Sequence, residues 1–279
     1  MLLVSLIWGV NFSVMKGALP HFPPLAFTAV RFAGSSVVLW LIQRRVEGVQ
    51  PLPPGTLLRL IVLGVVGNTL YQLAFILGLE RTTASNSALL LSAVPTAVAL
   101  LGAVVGAERL TRRVAVGTAV ATAGVVLVVA ARGAGFSSAT ITGDLLTLAA
   151  MLCWAGYTLG VRSVGTAISP LRLTTLTTLT GTPGLVLAGI PDLARMQWRG
   201  VTPAAWAALG YSSMLSLVVA YLLWNRSVRA VGPNRTAIYM CVTPLVAVAS
   251  AWVLLGEVPV PLQGVGALFI VAGVLLTRR

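Results

Sequence analysis

Charge is scarce in this chain. Of 279 residues only 9% are charged, and just six are acidic. A soluble fold with so little charge could not cover its surface with polar groups, so the solvent must be lipid. The acidic residues lie mostly at the ends of apolar runs and form no cluster. That speaks against a membrane prenyltransferase, which needs grouped carboxylates to hold a metal-bound diphosphate. Histidine occurs once, as His21 in a loop between Pro20 and Pro23, so a Ser/His protease has no well-placed base. Cys153 and Cys241 both fall in apolar stretches; they give no disulfide framework and read as small packed hydrophobes. The pattern of a cleavable signal peptide is missing as well, since Met1 leads straight into an apolar run without a basic start. No metal and no cofactor is expected.

Apolar runs are abundant instead, with 57% of residues hydrophobic. Ten candidate helices follow one another: Leu2 to Leu19, Leu25 to Gln43, Leu57 to Leu79, Thr82 to Val105 and Val114 to Ala131, then Thr142 to Arg162, Leu171 to Ile190, Ala204 to Arg226, Pro233 to Gly256 and Val260 to Thr277. Each is close to the ~20 residues that a bilayer core of ~30 Å requires. Lipid offers backbone polar groups no partner, so the spans must be helices. The expected fold class is therefore an all-α integral membrane protein of ten transmembrane helices. Short turns such as Pro20 to Pro24, Pro51 to Gly55 and Gly133 to Ser138 separate the spans and leave no room for a soluble domain.

The net charge of +13 reads as a loop bias and not as a nucleic-acid surface. With ten spans both termini share a side. That side receives Arg44, Arg45, Arg59, Arg109, Arg112, Arg113, Arg162, Arg172, Arg226, Arg229, Arg235, Arg278 and Arg279, against Lys16, Arg81, Arg132, Arg195 and Arg199 on the other. Both termini are thus expected in the cytoplasm of a bacterial cell, with the chain multi-pass in the inner membrane.

An internal repeat organises the chain. Pro95 and Glu108 are echoed by Pro244 and Glu257, and Gly117, Ala123 and Gly124 by Gly266, Ala272 and Gly273, all at an offset of 149. The expected division is a first five-helix repeat over 1–131, a linker over 132–141 and a second repeat over 142–279. An odd number of helices per half makes the repeats inverted, which is the scaffold of alternating access. Gly117 with Gly124 and Gly266 with Gly273 recur at seven residues and suit close helix packing, and Gly102 with Gly106 adds a GxxxG.

Several motifs resemble a known family. Trp8-Gly9-Val10-Asn11-Phe12, Leu25-Ala26-Phe27 leading to Arg31-Phe32, and a Pro followed thirteen residues later by Glu in the fourth and ninth spans resemble the EamA family of the drug/metabolite transporter superfamily. The resemblance covers essentially the whole chain, and within the family the general look is similar to YddG-type amino-acid exporters. It implies export of small metabolites. The second half departs from the pattern: Trp154-Ala155-Gly156-Tyr157 stands where the first half has Trp-Gly-x-Asn, so Asn11 has no counterpart.

Candidate site residues follow from polar stripes within the spans. Pro95 and Pro244 cannot donate to the carbonyls of Leu91 and Met240, so both are candidate hinges whose freed carbonyls need other partners. Ser85, Ser92 and Thr96 share a helix face with Asn86 beside it; Asn68, Tyr71, Gln72 and Phe75 share another, and Thr236, Tyr239 and Thr243 a third. With Asn11, Trp154, Tyr157, Tyr221 and Asn225 they could enclose a pocket of hydroxyls, amides and rings that suits a small zwitterion. The competing reading is that such residues glue helices together and anchor at interfaces. Arg31, roughly 9 Å deep, either snorkels to the interface or meets a carboxylate. Glu108 and Glu257 read as partners for loop arginines or as helix caps. Threonines of the seventh span, Thr174 to Thr182, form a water-exposed gate or bond back to their own helix.

These features point to an inner-membrane secondary transporter that exports small metabolites, amino acids foremost, aromatic or neutral ones included. Other metabolites or drugs are the alternative, and a non-transporting receptor or an intramembrane enzyme the remoter ones. The partners expected are a small-molecule substrate and the bilayer, with no nucleic acid. The oligomeric state is open, a monomer included.

Overall fold

A computed structural model describes residues 1–106, 111–131, 138–164 and 168–277. Glu108, Arg109, Arg132 and the two terminal arginines lie outside the described residues. Ten helical rods are present among those residues, and no strand. They are α1 (Leu2–Ala18), α2 (Pro24–Glu47), α3 (Thr56–Arg81), α4 (Ala84–Val104) and α5 (Arg112–Ala130). The remainder are α6 (Ser138–Gly160), α7 (Pro170–Arg195), α8 (Pro203–Val231), α9 (Pro233–Ala237, Ile238–Cys241 and Thr243–Leu255) and α10 (Pro261–Thr277). Six of these, α2, α3, α4, α7, α8 and α9, are long and apolar enough to cross a membrane. Apolar stretches in α1, α5 and α10 are shorter.

The bundle is apolar outside and encloses polar side chains within a mostly apolar core. Leu2, Leu6, Val37, Leu58, Val253 and Leu268 face outward, whereas Asn68, Asn86, Asn225, Thr147 and Thr174 are fully enclosed. Burial by apolar surface drives soluble folds; here lipid removes that force, and hydrogen bonds and close packing hold the rods together. Proline starts many rods, at Pro24, Pro170, Pro203 and Pro261, where its missing N–H is one of the unpaired donors anyway.

Four rods are interrupted, and the interruptions correspond. A π-helical turn occupies Val65–Leu70 in α3, and another occupies Ser212–Val219 in α8. In α4 the first piece ends at Leu91 and the second begins at Val94; in α9 the break falls at Val242, 149 residues after Ala93. Pro95 and Pro244 each sit in the first turn of the piece that follows. There the absent N–H costs no helical bond, so each proline restarts a rod where mid-helix it would have kinked one.

Packing follows the same correspondence. Helix α1 lies on α9 and α8, and α6 lies on α4 and α3, so each rod in one set has its counterpart, five places away in the chain, in the other. Corresponding rods also pack on each other, α2 on α7 and α5 on α10. Both pairs are antiparallel. In the first, Ser36 meets Thr182 and Leu39 meets Thr175. In the second, a Cβ on Gly124 would lie 2.7 Å from the Gly266 carbonyl, and one on Gly273 would lie 2.5 Å from that of Gly117. Only glycine lets the two backbones approach so closely. Equivalent rods running in opposite senses are what an inverted duplication requires.

One expectation changes in detail, and one pair of alternatives is decided. Gly106 has positive φ (71°) and no close neighbour, so it terminates α4 and does not form a GxxxG contact. The threonines of α7 bond back to their own helix: Thr174 to the Pro170 carbonyl, Thr178 to that of Thr174 and Thr182 to that of Thr178.

Candidate functional site

Where α1, α2, α3, α4, α6, α8 and α9 converge, they leave a pocket of about 400 Å³ of interatomic space, only a small part of it wide enough for water. Its wall is largely aromatic. Trp8 and Trp154 meet edge to face at 5.5 Å, and Tyr221 and Trp224 pack against both. Tyr71 lies 5.0 Å from Trp154 and stacks on Phe75 at 5.7 Å. Such rings offer negative faces to a cation and apolar area to a side chain.

One charge enters this wall. Arg31 comes from the second turn of α2 and is only 1% exposed. Its Nη1 donates to the Ser212 hydroxyl at 2.5 Å and to the Met15 sulfur at 3.0 Å, and its Nη2 donates to the Gln72 carbonyl oxygen at 2.5 Å. Gln72 passes the chain on, donating its amide to the Tyr221 hydroxyl at 3.0 Å. The rings of Phe32 and Phe27 flank the guanidinium at 5.5 and 5.9 Å. Of the two readings from sequence, snorkelling is corrected: the guanidinium is held inward, and its side-chain partners within the protein are neutral groups. Ser212 opens the π turn of α8 and Gln72 follows the π turn of α3, so both interruptions deliver a ligand to the same cation.

The candidate residues divide into two sets. Asn11, Tyr71, Gln72, Trp154 and Arg31 line the pocket, together with Phe12, Phe75, Ser216 and Tyr221. Leu91 and Met240, whose carbonyls Pro95 and Pro244 cannot reach, line it too. Tyr157 stands behind Trp154, stacked at 5.1 Å, with its hydroxyl in a network with Asn225 and Thr177.

The others lie elsewhere. Asn68 donates to the Thr177 carbonyl at 2.8 Å and fastens α3 to α7. Ser92 bonds back to the Leu89 carbonyl at 2.6 Å, and Thr243 is enclosed within α9. Asn86 accepts from Gln263 of α10. Tyr239 is 40% exposed on the outside of the bundle. Ser85, through its amide at 3.0 Å and its hydroxyl at 2.8 Å, donates to Glu257, which also accepts from the Ala84 amide. Glu257 therefore caps the N-terminus of α4, an electrostatically favoured place for a carboxylate, and not the helix that follows it.

Sequence reasoning passed over Trp8, Phe12, Ser212 and Ser216 as pocket residues, and named Leu91 and Met240 only for their carbonyls. For Leu91 and Met240 the signal was present, four residues before each proline. Trp8 was visible only as a motif letter; its ring forms the pocket wall while its indole N–H donates to the Ser216 carbonyl at 3.1 Å. Ser212 gave no signal, because nothing in the sequence announces a π turn.

Known proteins of similar sequence are transporters. The chain is 30% identical to a probable amino-acid metabolite efflux pump of Salmonella typhimurium over 285 residues, covering 98% of this chain and 91% of that protein. It is 26% identical to a probable terminal-alkyne amino-acid exporter of Streptantibioticus cattleyicolor, over all of this chain and 92% of that one. It is equally 26% identical to the transporter YyaM of Bacillus subtilis, over 97% and 90%. A crystal structure 17% identical in sequence superposes with a TM-score of 0.69 over 98% of this chain and 93% of that one, which is a likeness of fold. The profile of the EamA-like transporter family matches residues 1–130 and again 141–279, so a ring-walled pocket between two corresponding sets of rods belongs here to a multi-pass membrane transporter, and the chain is a member of the EamA-like transporter family.

Proposed function

We propose that this protein is an inner-membrane secondary transporter that exports small metabolites, amino acids foremost, by alternating access and without catalysis. The observation that carries the reading is the pocket itself. It lies within the bundle, is walled by rings and amides, and borders the breaks before Pro95 and Pro244. In this reading all ten rods span the bilayer, both termini are cytoplasmic, and residues 1–131 and 142–279 are the inverted repeats joined by 132–141. Asn11, Tyr71, Gln72 and Trp154 contact substrate, with Tyr157 supporting Trp154; the breaks at Pro95 and Pro244 act as hinges. Ser85, Asn86, Ser92, Asn68, Tyr239 and Thr243 act in packing or gating and not in contact with substrate. Two relatives that carry amino-acid export in their names support the substrate class.

Counterflow of radiolabelled amino acids into liposomes holding the purified protein, with and without an imposed pH gradient, tests this. We expect uptake of at least one amino acid with a bulky side chain. Flux of a drug or nucleotide sugar, with none for any amino acid, would overturn the substrate class.

A further inference from the structure

Among the pocket's side chains, buried donors without a partner outnumber such acceptors, and an anion would meet them. Arg31 is fully enclosed, yet each side-chain partner it has is neutral. Among the described residues the ion pair is Arg81 with Glu80, at a helix end far along α3. The Arg31 Nε–H and the Trp154 indole N–H are buried without any hydrogen-bond partner. Only the Asn11 carbonyl oxygen among the pocket's side chains is an acceptor in the same condition. A buried cation with neutral ligands and an unused donor is costly unless something completes it. A guanidinium presents paired N–H groups in a plane, the geometry that accepts a carboxylate in two bonds.

We propose that the pocket recognises its substrate by a carboxylate seated on Arg31, with Gln72 and Ser212 as the groups it displaces. The ligand class is a small monocarboxylate with a bulky or aromatic substituent, which lies among Trp8, Trp154 and Tyr71. The inference deepens the exporter reading and rests on it only for the direction of movement. An amino acid and its deaminated organic acid share this chemistry; an ammonium group adds cation attraction to the ring faces and competes for the Asn11 oxygen. Displacement of Gln72 also breaks its bond to Tyr221, so the arriving carboxylate uncouples α3 from α8 at their π turns. Binding and movement are thereby linked through Arg31.

The test is equilibrium binding to the purified protein in detergent, read as thermal stabilisation and by tracer competition. Matched ligands are used: phenylalanine, phenylpyruvate and 3-phenylpropionate against phenylalaninamide and phenethylamine. We expect the three acids to bind at least about tenfold tighter than the amide or the amine. Phenylalanine ahead of both organic acids would assign the ring faces to the ammonium, and equal binding would assign them to the side chain alone. Arg31→Met should abolish the preference for acids, and Arg31→Lys should restore part of it. Should Arg31→Met fail to fold, the matched ligands on the wild-type protein decide the matter. Amides binding as well as acids, no acid binding at all, or an undiminished preference in Arg31→Met would each overturn the proposal. Acid binding without flux in liposomes would leave the seat standing and remove the exporter reading; flux of amides and acids alike would do the reverse.

Discussion

Two buried networks, one at the pocket and one behind it, are built on corresponding rods and are chemically unlike. In α2 Arg31 stands seven residues after Pro24; in α7 Thr177 stands seven residues after Pro170. Around Arg31 the network reaches Gln72, Tyr221, Ser212 and Met15 and leaves donors over. Around Thr177 the network is neutral, and the buried atom it leaves over is an acceptor, the Asn68 carbonyl oxygen. The Asn225 amide donates to the Tyr157 hydroxyl at 2.8 Å and to Thr174 at 2.9 Å, and the Asn68 amide donates to the Thr177 carbonyl. Trp8 spends its indole N–H on a carbonyl, whereas Trp154, at the matching place in α6, keeps its own unpartnered. Corresponding rods thus carry one charged and one neutral network. In the carboxylate reading proposed above, the charge on one side alone gives a bound solute a head and a tail.

The largest way to break this comparison is to cut the charged side. Gln72→Leu removes an acceptor from a buried guanidinium and should lower stability by about 2–3 kcal/mol, measured by reversible unfolding in mixed micelles. Combined with Arg31→Met, most of that loss should return, because no charge is left to satisfy; a double-mutant cycle with no coupling would refute the network. Cutting the neutral side costs less. Asn225→Leu strips Tyr157 and Thr174 of a partner and should lower stability by about 1–2 kcal/mol while leaving the preference for acids over amides intact. A lost preference would mean that the two faces act together. Away from both, Glu257→Gln weakens the cap on α4 and should cost about 0.5–1 kcal/mol, shrinking as salt is added to the unfolding buffer. Least of all, Tyr239→Ala should change stability by less than about 0.5 kcal/mol and leave counterflow unaltered, since its ring lies outside the bundle.

Much of the frame could be read from residues in order. The spans were legible because lipid demands long apolar runs, and the breaks because Pro95 and Pro244 repeat at one offset. Helix ends were less so: α2 runs on to Glu47 and α7 to Arg195, past the apolar stretch, since a helix can project beyond hydrocarbon without cost. The pocket was half legible. Polar stripes at helical spacing picked out Asn11, Tyr71, Gln72 and Trp154, but the same criterion picked out Asn68, Ser92 and Tyr239, which packing directs elsewhere. Spacing along one rod fixes a face but not what that face meets. Arg31 shows the limit most clearly, because its ligands come from α1, α3 and α8 and two depend on π turns without sequence signature.

The junction between α3 and α4 gathers several polar ties at one end of the bundle. The Lys16 ammonium, on α1, donates to the carbonyls of Leu79, Glu80 and Thr82, at 2.7 to 2.8 Å; Thr82 donates its hydroxyl to Asp144 of α6, and Glu257, two residues past the end of α9, caps α4. Five rods are therefore moored to a single corner. Ties made of charge weaken as salt is added, so that corner answers to the ions of the surrounding water, while the glycine seam of α5 and α10, shut backbone to backbone, is deaf to them.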